Sequence, residues 1–451
     1  MEVRTREGWG TSLGFILAAV GSAVGLGNMW RFPYAVSTRG GAAFVILYVL
    51  MVLAVGVPVM MSEFALGRRT GLSPISALQK EGGRRWSMLG YLFVLTGCLI
   101  LAYYSVIAGW SMRYLLEALI SGFSGDPGVY YDESTTGIGA VLYHMVFMTI
   151  TISIVIGGIK AGIERASLVL MPVLFVLIVG LALWALMLDG SGAGYAFYLR
   201  PQLSDFFSAS TFSAAASQAF FSLSLGMGAM LTYSSYLSRQ ENLPSSAVKI
   251  SLADFGVAFF AGLVVFPVMF AFGLSNQIIT GEIGEGRALG ALFVSLPRAF
   301  IEMGAAGRIV GLTFFTALFV GALTSAISLL EVVTSSLIDT WKIARIRAAL
   351  WAGLVIMIVG IPSAYNQNVL GLFDAIAGEF FLVLGALFLI VFVGWRMEDP
   401  AGELSEGFGN RGLLTGWLRL VRFVLPIILV FVVYDRGRNV VRMIWSMLGG
   451  G

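Results

Sequence analysis

Long apolar runs separated by short polar segments make up most of the chain. A membrane-spanning helix needs about 20 mainly apolar residues, and eleven runs approach or exceed this length. They are predicted at residues 13–37, 42–65, 88–119, 138–159, 166–188, 212–237, 252–274, 310–337, 348–364, 373–395 and 421–434, the last one short. The pattern therefore predicts an all-α polytopic membrane protein with about 11 transmembrane helices.

A glycine-rich interruption lies inside the first run, at residues 21–33 (GSAVGLGNMWRFP). Unwound chain at membrane depth survives only where it is buried in protein or lines a cavity, because hydrocarbon offers the backbone no hydrogen-bond partner. The interruption therefore predicts a binding site rather than a helix that faces lipid. Arg31 and Pro33 also distinguish this run from a cleavable signal peptide, so we expect the mature protein to retain it.

A second interruption lies in the sixth run, at residues 222–228 (SLSLGMG). Small residues often serve only to let membrane helices pack closely, but two breaks five spans apart are typical of an inverted-repeat transporter with a midplane site. We predict one transmembrane domain over 1–451. Its first repeat covers about 9–190, its second about 205–397, and an extra helix about 413–436, by the rule that links paired breaks to repeats.

Composition supports a membrane protein and excludes some kinds of chemistry. The chain is 58% hydrophobic and 12% charged, with a mean hydropathy of +0.89. Its single cysteine, Cys98, and its single histidine, His144, exclude an internal disulfide and a cysteine or histidine metal cluster.

The distribution of Lys and Arg predicts the orientation, since short cytoplasmic loops carry the excess. Basic residues precede span one and lie between spans two and three and between spans eight and nine, whereas the charged residues of 122–137 are all acidic. The N-terminus is therefore predicted to be cytoplasmic in a plasma (inner) membrane. A longer external segment, 275–308, is expected to act as a lid. Arg436, Arg438 and Arg442 disagree with this count, because eleven spans place them outside.

Several motifs occur in the order found in one transporter family. They are residues 9–33, Gly40-Gly41, Glu63 with Gly67-Arg68, Tyr103-Tyr104 with Trp110, residues 218–226 (QAFFSLSLG) and residues 323–325 (LTS). Together they resemble the neurotransmitter:sodium symporter family, in its bacterial branch, over the first ten spans. The resemblance implies a LeuT-like fold with an inverted five-plus-five helix repeat, discontinuous helices 1 and 6, and sodium-driven amino-acid uptake by alternating access.

The resemblance places the substrate between the two breaks. A carboxylate buried at mid-membrane needs hydrogen-bond donors and positive potential, which an unwound segment and a helix N-terminus supply. Gly25 implies an amino acid, since amine-transporting relatives carry Asp there, and the apolar lining implies a large hydrophobic or aromatic side chain. The implied substrate-binding residues are Ser22, Ala23, Gly25, Leu26, Gly27, Ile100, Tyr104, Phe221, Ser222, Ser224, Met227, Ser325 and Leu329, with Ala326 beside them.

Two sodium ions are also implied, each needing about six oxygen ligands by analogy with other hard cations. Site 1 comprises Ala23, Asn28, Ser222 and Asp254, and site 2 comprises Gly21, Val24, Gly321, Thr324 and Ser325. Without the resemblance, the hydroxyls of Thr324 and Ser325 would be expected to bond back to their own helix, and Asp254 would lie at the cytoplasmic end of span seven. Chloride-using relatives carry Asn at position 254, so aspartate there predicts chloride independence.

The resemblance further implies a gate on each side of the membrane. The inner gate comprises Arg6, Trp9, Ser235, Tyr236 and Asp339, with Arg6 paired to Asp339, and the outer gate comprises Arg31, Phe221 and Tyr104. Ala377 stands where relatives carry the acid that pairs with Arg31. Asp374 and Glu379 are nearby acids, but neither has the expected offset, so the outer salt bridge is not predicted.

Three further features complete the prediction. Gly162 and Pro172 resemble a pair that lets helix five unwind near the inner sodium site. Glu63 and Glu331 are intramembrane acids for which the sequence identifies no partner, and we expect each to be neutral and hydrogen-bonded between helices. Tyr103 is expected to lie in the core or at the membrane interface.

Other functions remain open at this point. They are a proton-coupled transporter or a non-transporting sensor on the same fold, and more remotely a channel or a membrane-embedded enzyme. An enzyme would need a cluster of catalytic groups, and a channel needs a lined pore rather than paired breaks. The predicted partners are the lipid bilayer and a small-molecule amino acid, with no nucleic acid, and the sequence indicates no oligomeric state.

Overall fold

The structure is a computed structural model that describes residues 7–202, 206, 208–274 and 291–447. This part of the chain consists of helices and connecting loops and contains no β-strand. Nine of its helices are long and apolar enough to cross a membrane, and a pair of helices bent by 46° makes a tenth span. The sixth predicted run, 212–237, is divided into two helices that are each too short to span alone.

The helices of the membrane domain are labelled in chain order. They are α1 Ser12–Ala23, α2 Gly27–Thr38, α3 Ala42–Thr70, α4 Ser87–Ile120, α5 Gly137–Ile156, α6 Ile159–Ala185, α7 Ala209–Ser222, α8 Ala229–Ser234, α9 Leu243–Ala271, α10 Ala305–Trp341, α11 Arg345–Tyr365, α12 Gln367–Trp395 and α13 Arg411–Met447. Shorter helices lie at Pro74–Gly82, Pro127–Thr135, Gly192–Leu199, Ala291–Glu302 and Pro400–Ser405.

Both predicted interruptions are breaks between helices. α1 ends at Ala23, α2 begins at Gly27, and their axes meet at 46°. Residues 223–228 separate α7 from α8, and within them Ser224, Gly226 and Gly228 have φ angles of 53°, 79° and 75°. Position 226 requires glycine because a Cβ in this left-handed conformation would also overlap the backbone carbonyl of α12.

The broken helices lie at the centre of the molecule. α1 packs against α6, α9 and α10, while α4 packs along α10. Small residues let the surrounding helices approach each other, as they commonly do in membranes. Gly109 of α4 faces the backbone of His144 in α5, for example, and Gly360 of α11 faces the carbonyl of Ala102. α13 lies outside this ten-span arrangement and contacts α12 and α7.

Several predicted boundaries were wrong. The last run, 421–434, is part of the longer, 37-residue helix α13. This helix continues past the end of the run through the polar residue Arg436, which is buried against neighbouring helices. α9 begins at Leu243 rather than at residue 252, because the Asn242 side chain accepts a hydrogen bond from Ser245 N and caps the first turn. Of the lid predicted at 275–308, residues 275–290 lie outside the described residues.

Candidate functional site

A small cavity of about 20 Å³ lies between the two helix breaks. It is lined by Ser22, Ala23, Gly25, Gly27, Ile100, Tyr104, Phe221, Ser224, Met227, Ser325, Leu329 and Leu382. All of these except Leu382 are among the residues predicted from the sequence. We call this space the substrate cavity.

The polar side of the substrate cavity is formed by the first break and Tyr104. The Tyr104 hydroxyl accepts a hydrogen bond from Leu26 N at 3.1 Å, and the Asn28 side chain accepts one from Gly25 N at 3.0 Å. A Cβ at Gly25 would overlap both the Tyr104 hydroxyl and Ser325 Oγ. The break is thus held by Tyr104 of α4 and by Asn28 of the adjoining helix α2, and glycine leaves room for a ligand beside its backbone.

Three residues predicted to bind substrate do not line the cavity. Leu26 is fully buried and contributes its backbone N–H to Tyr104, and Ala326 is buried within α10. Ser222 turns away from the cavity, because its hydroxyl donates to the carboxylate of Asp254 at 2.8 Å. Leu382 of α12 replaces them in the wall, and no motif in the sequence indicates it.

The side chains predicted for sodium site 1 meet at one buried point. The Asp254 carboxylate accepts hydrogen bonds from Ser222 Oγ at 2.8 Å and from Asn28 Nδ2 at 2.7 Å. Tyr48 was not predicted, yet its hydroxyl donates to Asp254 Oδ2 at 3.2 Å and contacts Ser222 Oγ at 2.9 Å. A hydroxyl inside an otherwise apolar run is the one signal by which the sequence could have indicated Tyr48.

Asp254 does not lie at the end of its helix, contrary to the alternative expectation. α9 begins eleven residues earlier, at Leu243, so Asp254 is about three turns into the helix at 3.6 residues per turn. Its side chain is fully buried. A carboxylate this deep is costly unless it is paired, which makes a cation the natural ligand of the oxygen cluster around it.

The residues predicted for sodium site 2 are only partly assembled. Ser325 Oγ of α10 donates toward the carbonyl oxygens of Gly21 and Val24, at 3.3 and 3.1 Å, and so crosses from α10 to the end of α1. Thr324 Oγ1 instead donates to the carbonyls of Val320 and Gly321 within its own helix, as side-chain to backbone bonding commonly does. Ser325 thus makes the contact between α10 and α1. Thr324 instead bonds back to its own helix, as was expected of both hydroxyls without the resemblance.

The outer gate contains two acids that the sequence analysis could not assign. Arg31 donates from Nη1 to Asp374 and from Nη2 to Glu379, each at 2.8 Å. Its guanidinium lies 4.4 Å from the centroid of the Phe221 ring, a cation–π distance. Tyr103, for which only a core or interfacial place was expected, donates its hydroxyl to Asp374 at 2.8 Å.

A π-helical segment carries both acids of the outer gate. Residues Asp374–Phe381 of α12 form a π-helix, whose hydrogen bonds join residues five apart. Asp374 and Glu379 are five residues apart, so this winding brings both carboxylates to the same side of α12, opposite Arg31. Ala377, the position that the sequence analysis matched to the acid of relatives, is buried and apolar.

The inner gate contains a network that was not predicted. Tyr236 donates to Glu331 at 2.7 Å, and Glu331 pairs with Arg345 through both of its oxygens, at 2.8 and 3.0 Å. Glu331 is therefore ion-paired, and the expectation of a neutral acid was wrong for it. The Trp9 indole donates to the carbonyl of Tyr233 at 2.9 Å.

Asp339 and Glu63 are two further acids for which the sequence analysis made a prediction. Arg6 lies outside the described residues, so its pairing with Asp339 stays a prediction. Asp339 Oδ2 accepts a hydrogen bond from Ser73 N at 2.7 Å. Glu63 accepts from Gly226 N at 2.8 Å and Leu231 N at 3.0 Å, so its partners are backbone groups that the second break leaves without helical acceptors.

A cavity between two broken helices, with buried oxygen clusters beside it and a closed gate above and below, defines a polytopic transporter with a midplane site. The profile described as "Sodium:neurotransmitter symporter family" matches residues 6–125 and 129–443. The chain belongs to this family and is a sodium-dependent, multi-pass membrane transporter.

Individual relatives cover nearly the whole chain. A sodium-dependent transporter of Methanocaldococcus jannaschii is 36% identical over 98% of this chain and 92% of the relative. One of Bacillus subtilis is 34% identical over 94% of this chain and 96% of the relative. The sodium-dependent nutrient amino acid transporter 1 of Drosophila yakuba is 23% identical over 95% of this chain and 77% of the relative.

The crystal structure of MhsT in complex with L-phenylalanine is similar to this chain with a TM-score of 0.87 and 38% identity, covering 96% of this chain and all of that one. This match confirms the predicted LeuT-like fold. The family and its relatives are named transporters, which confirms that the protein is not an enzyme.

Proposed function

We propose that this protein couples sodium entry to the uptake of hydrophobic amino acids, including aromatic ones, by alternating access. The observation that carries the proposal is the two-sided substrate cavity. One side is the polar backbone of the first break with Tyr104, and the other is apolar, with Ile100, Met227 and Leu329. An amino acid with a large apolar side chain has the same two halves.

The substrate carboxylate would be held at the start of α2. The positive end of the helix dipole lies there, and backbone N–H groups at helix N-termini commonly bind anions. Tyr104 adds a hydroxyl whose proton a carboxylate can accept. MhsT, which is similar over nearly the whole chain, is described in complex with L-phenylalanine, and this supports an aromatic amino acid here.

The apolar side of the cavity is suited to several side chains. Met227 is unbranched and lies between Gly226 and Gly228, both with positive φ. A thioether side chain adapts to irregular shapes, so this wall can repack around ligands of different size. We therefore expect substrates from leucine to tryptophan.

Two sodium ions are proposed as co-substrates. The first would be held by the oxygens of Asn28, Ser222 and Asp254, beside the bound amino acid, so that each charge lowers the cost of burying the other. The second would be held by Ser325 and the carbonyls of Gly21 and Val24, which the structure brings within 3.3 Å of the serine hydroxyl. Because Asp254 supplies a fixed negative charge, no chloride ion is needed.

The orientation follows from charge distribution. Lys and Arg are concentrated in loops that place the N-terminus in the cytoplasm. We therefore propose a plasma (inner) membrane protein whose outer gate, Arg31 with Asp374 and Glu379, faces away from the cytoplasm.

Binding of radiolabelled phenylalanine and leucine to the purified protein tests the proposal. Sodium is titrated against potassium at constant ionic strength, and chloride is replaced by gluconate. Saturable binding that requires sodium and is unchanged without chloride is expected. Binding that does not require sodium would contradict the coupling and favour a proton-coupled transporter or a sensor on the same fold.

Asp254→Asn separates the charge of this residue from its size. The amide keeps the shape that contacts Ser222 and Tyr48 but removes the negative charge, and hydrogen bonds to charged groups contribute about 1.5–3 kcal/mol. Sodium affinity is expected to fall about 10- to 100-fold, and added chloride should restore part of it. Asp189→Asn, at an exposed acid beyond α6, is the control. Unchanged sodium affinity in the Asp254 variant would contradict this site.

A further inference from the structure

Arg436 is a buried charged residue on a helix whose other arginines near it are exposed. It lies on α13, outside the ten spans of the repeat, and its side chain is only 5% exposed. Arg438 and Arg442 on the same helix are exposed. All three disagreed with the charge rule for orientation, but Arg436 alone is buried within the protein. A buried guanidinium requires partners, because its charge is costly to remove from water.

The partners of Arg436 belong to two other helices. Its Nε and Nη2 both donate to Ser213 Oγ of α7, at 3.0 and 2.9 Å. Its Nη1 donates to Glu379 Oε2 of α12 at 3.3 Å. The carboxylate of Asp435 lies 3.0 Å from Nη2. One side chain thus joins α7, α12 and α13 at one point.

Glu379 connects this point to the outer gate. Its Oε1 accepts from Arg31 at 2.8 Å, while its Oε2 accepts from Arg436. The carboxylate is therefore shared by two guanidiniums, one from the first span and one from the last helix. α7 also carries Phe221, which lines the substrate cavity and lies under Arg31.

We propose that Arg436 is a positioning residue of the outer gate, which ties Ser213 and Glu379 together and so keeps α7 and α12 closed over the substrate cavity. The inference rests on the alternating-access function proposed above. Arg436 acts through Glu379 and contacts neither the cavity nor the cation sites. α13 thereby takes part in gating although it lies outside the repeat.

The role of Arg436 can be tested by measuring how fast a thiol reagent reaches the outer vestibule, the space above the outer gate. The vestibule is a space of about 390 Å³ that has Ala35, Arg31, Glu379 and Arg436 in its lining. Cys98→Ala removes the chain's only thiol, and Ala35→Cys then reports on the vestibule through its rate of reaction with an uncharged, hydrophilic methanethiosulfonate that does not cross the membrane. An uncharged reagent is used because Arg436 itself lines the vestibule, and its replacement would change the rate of a charged one. Rates are measured with sodium and phenylalanine present, when the gate is expected to be closed.

Arg436→Gln is expected to raise the labelling rate about three- to tenfold, because loss of hydrogen bonds to charged groups shifts the gate toward open. Ser213→Ala, which leaves every charge in place, is expected to raise it by a smaller factor. Arg436→Lys should give an intermediate rate, since an ammonium group cannot reproduce the planar fork of a guanidinium. Arg438→Gln on the same helix should label like the parent protein.

Two results would overturn the inference. One is an unchanged labelling rate in both Arg436→Gln and Ser213→Ala, and the other is an equal increase in Arg438→Gln. If Arg436→Gln does not fold, the Ser213→Ala rate decides alone. Sodium-dependent phenylalanine binding is measured on the same samples. If the parent protein shows no sodium-dependent binding, the proposed function is contradicted. The difference in labelling rate between the variants and the parent would still test the role of Arg436.

Discussion

Gly25 sets the space available beside the first helix break. A Cβ there would overlap the hydroxyls of Tyr104 and Ser325, and overpacking of this kind typically costs about 1–3 kcal/mol. Gly25→Ala is therefore expected to weaken phenylalanine binding about 5- to 100-fold, measured with the sodium-dependent binding assay. Gly180→Ala, at an exposed helical glycine with open space around it, is the matched control. Equal affinities of the two variants would contradict the tight fit at position 25.

At the residue scale, the sequence predicted the parts of the site that lie on the breaks themselves. Seven of the twelve cavity residues lie on or beside the two breaks, whose unwound chain marks its own position. Ile100, Tyr104, Ser325 and Leu329 lie on the continuous helices α4 and α10 and were identified only through the family resemblance. Tyr48, Tyr103 and Arg436 were missed as members of the site. Each reaches it from another helix, and nothing in the local sequence shows which distant carboxylate a hydroxyl or guanidinium will meet.

Helix α6 is the element that the sequence analysis expects to unwind near the inner sodium site. The preceding turn contains Gly158 at φ 79°, α6 begins as a π-helix over Ile159–Glu164, and Pro172 removes one backbone donor from its interior. Pro172→Ala restores that donor and is expected to stabilise the helix. If unwinding of α6 admits water to sodium site 2, uptake into proteoliposomes should slow about tenfold while sodium-dependent binding is retained.

Pro362→Ala provides the control for this prediction, because Pro362 is also a helix-interior proline and lies in α11, away from both cation sites. Equal uptake by the Pro172 variant and the parent protein would contradict a role for unwinding.

Irregular winding also limited what could be predicted of other elements. The π-helix of α12 brings the two gate acids, five residues apart, to one side of the helix, and nothing in the sequence analysis indicated that winding.

Among the described residues, side-chain networks lie on both sides of the substrate cavity, and the two networks differ in kind. On the outer side, one arginine of the first span meets two acids of α12. On the inner side, Arg345 of α11 joins Glu331 of α10 to Glu7 of the N-terminal segment. The fold was predictable at this scale because paired breaks indicate an inverted repeat. The inner network was not predictable, because no motif in the sequence indicates that Glu7, Glu331 and Arg345 form ion pairs.

Glu331→Gln tests whether the inner network holds that side closed. The amide still accepts from Tyr236 but leaves Arg345 with Glu7 as its acidic partner, and breaking a buried ion pair is strongly destabilising. Ser335→Cys, which lines the inner vestibule, is expected to react about fivefold faster or more with a thiol reagent in the Glu331 variant, in a Cys98→Ala background. Glu302→Gln, at an exposed acid on the other side, should leave the rate unchanged. A rate equal to that of the parent would instead mean that Trp9 and its contact with Tyr233 suffice to keep the inner side closed.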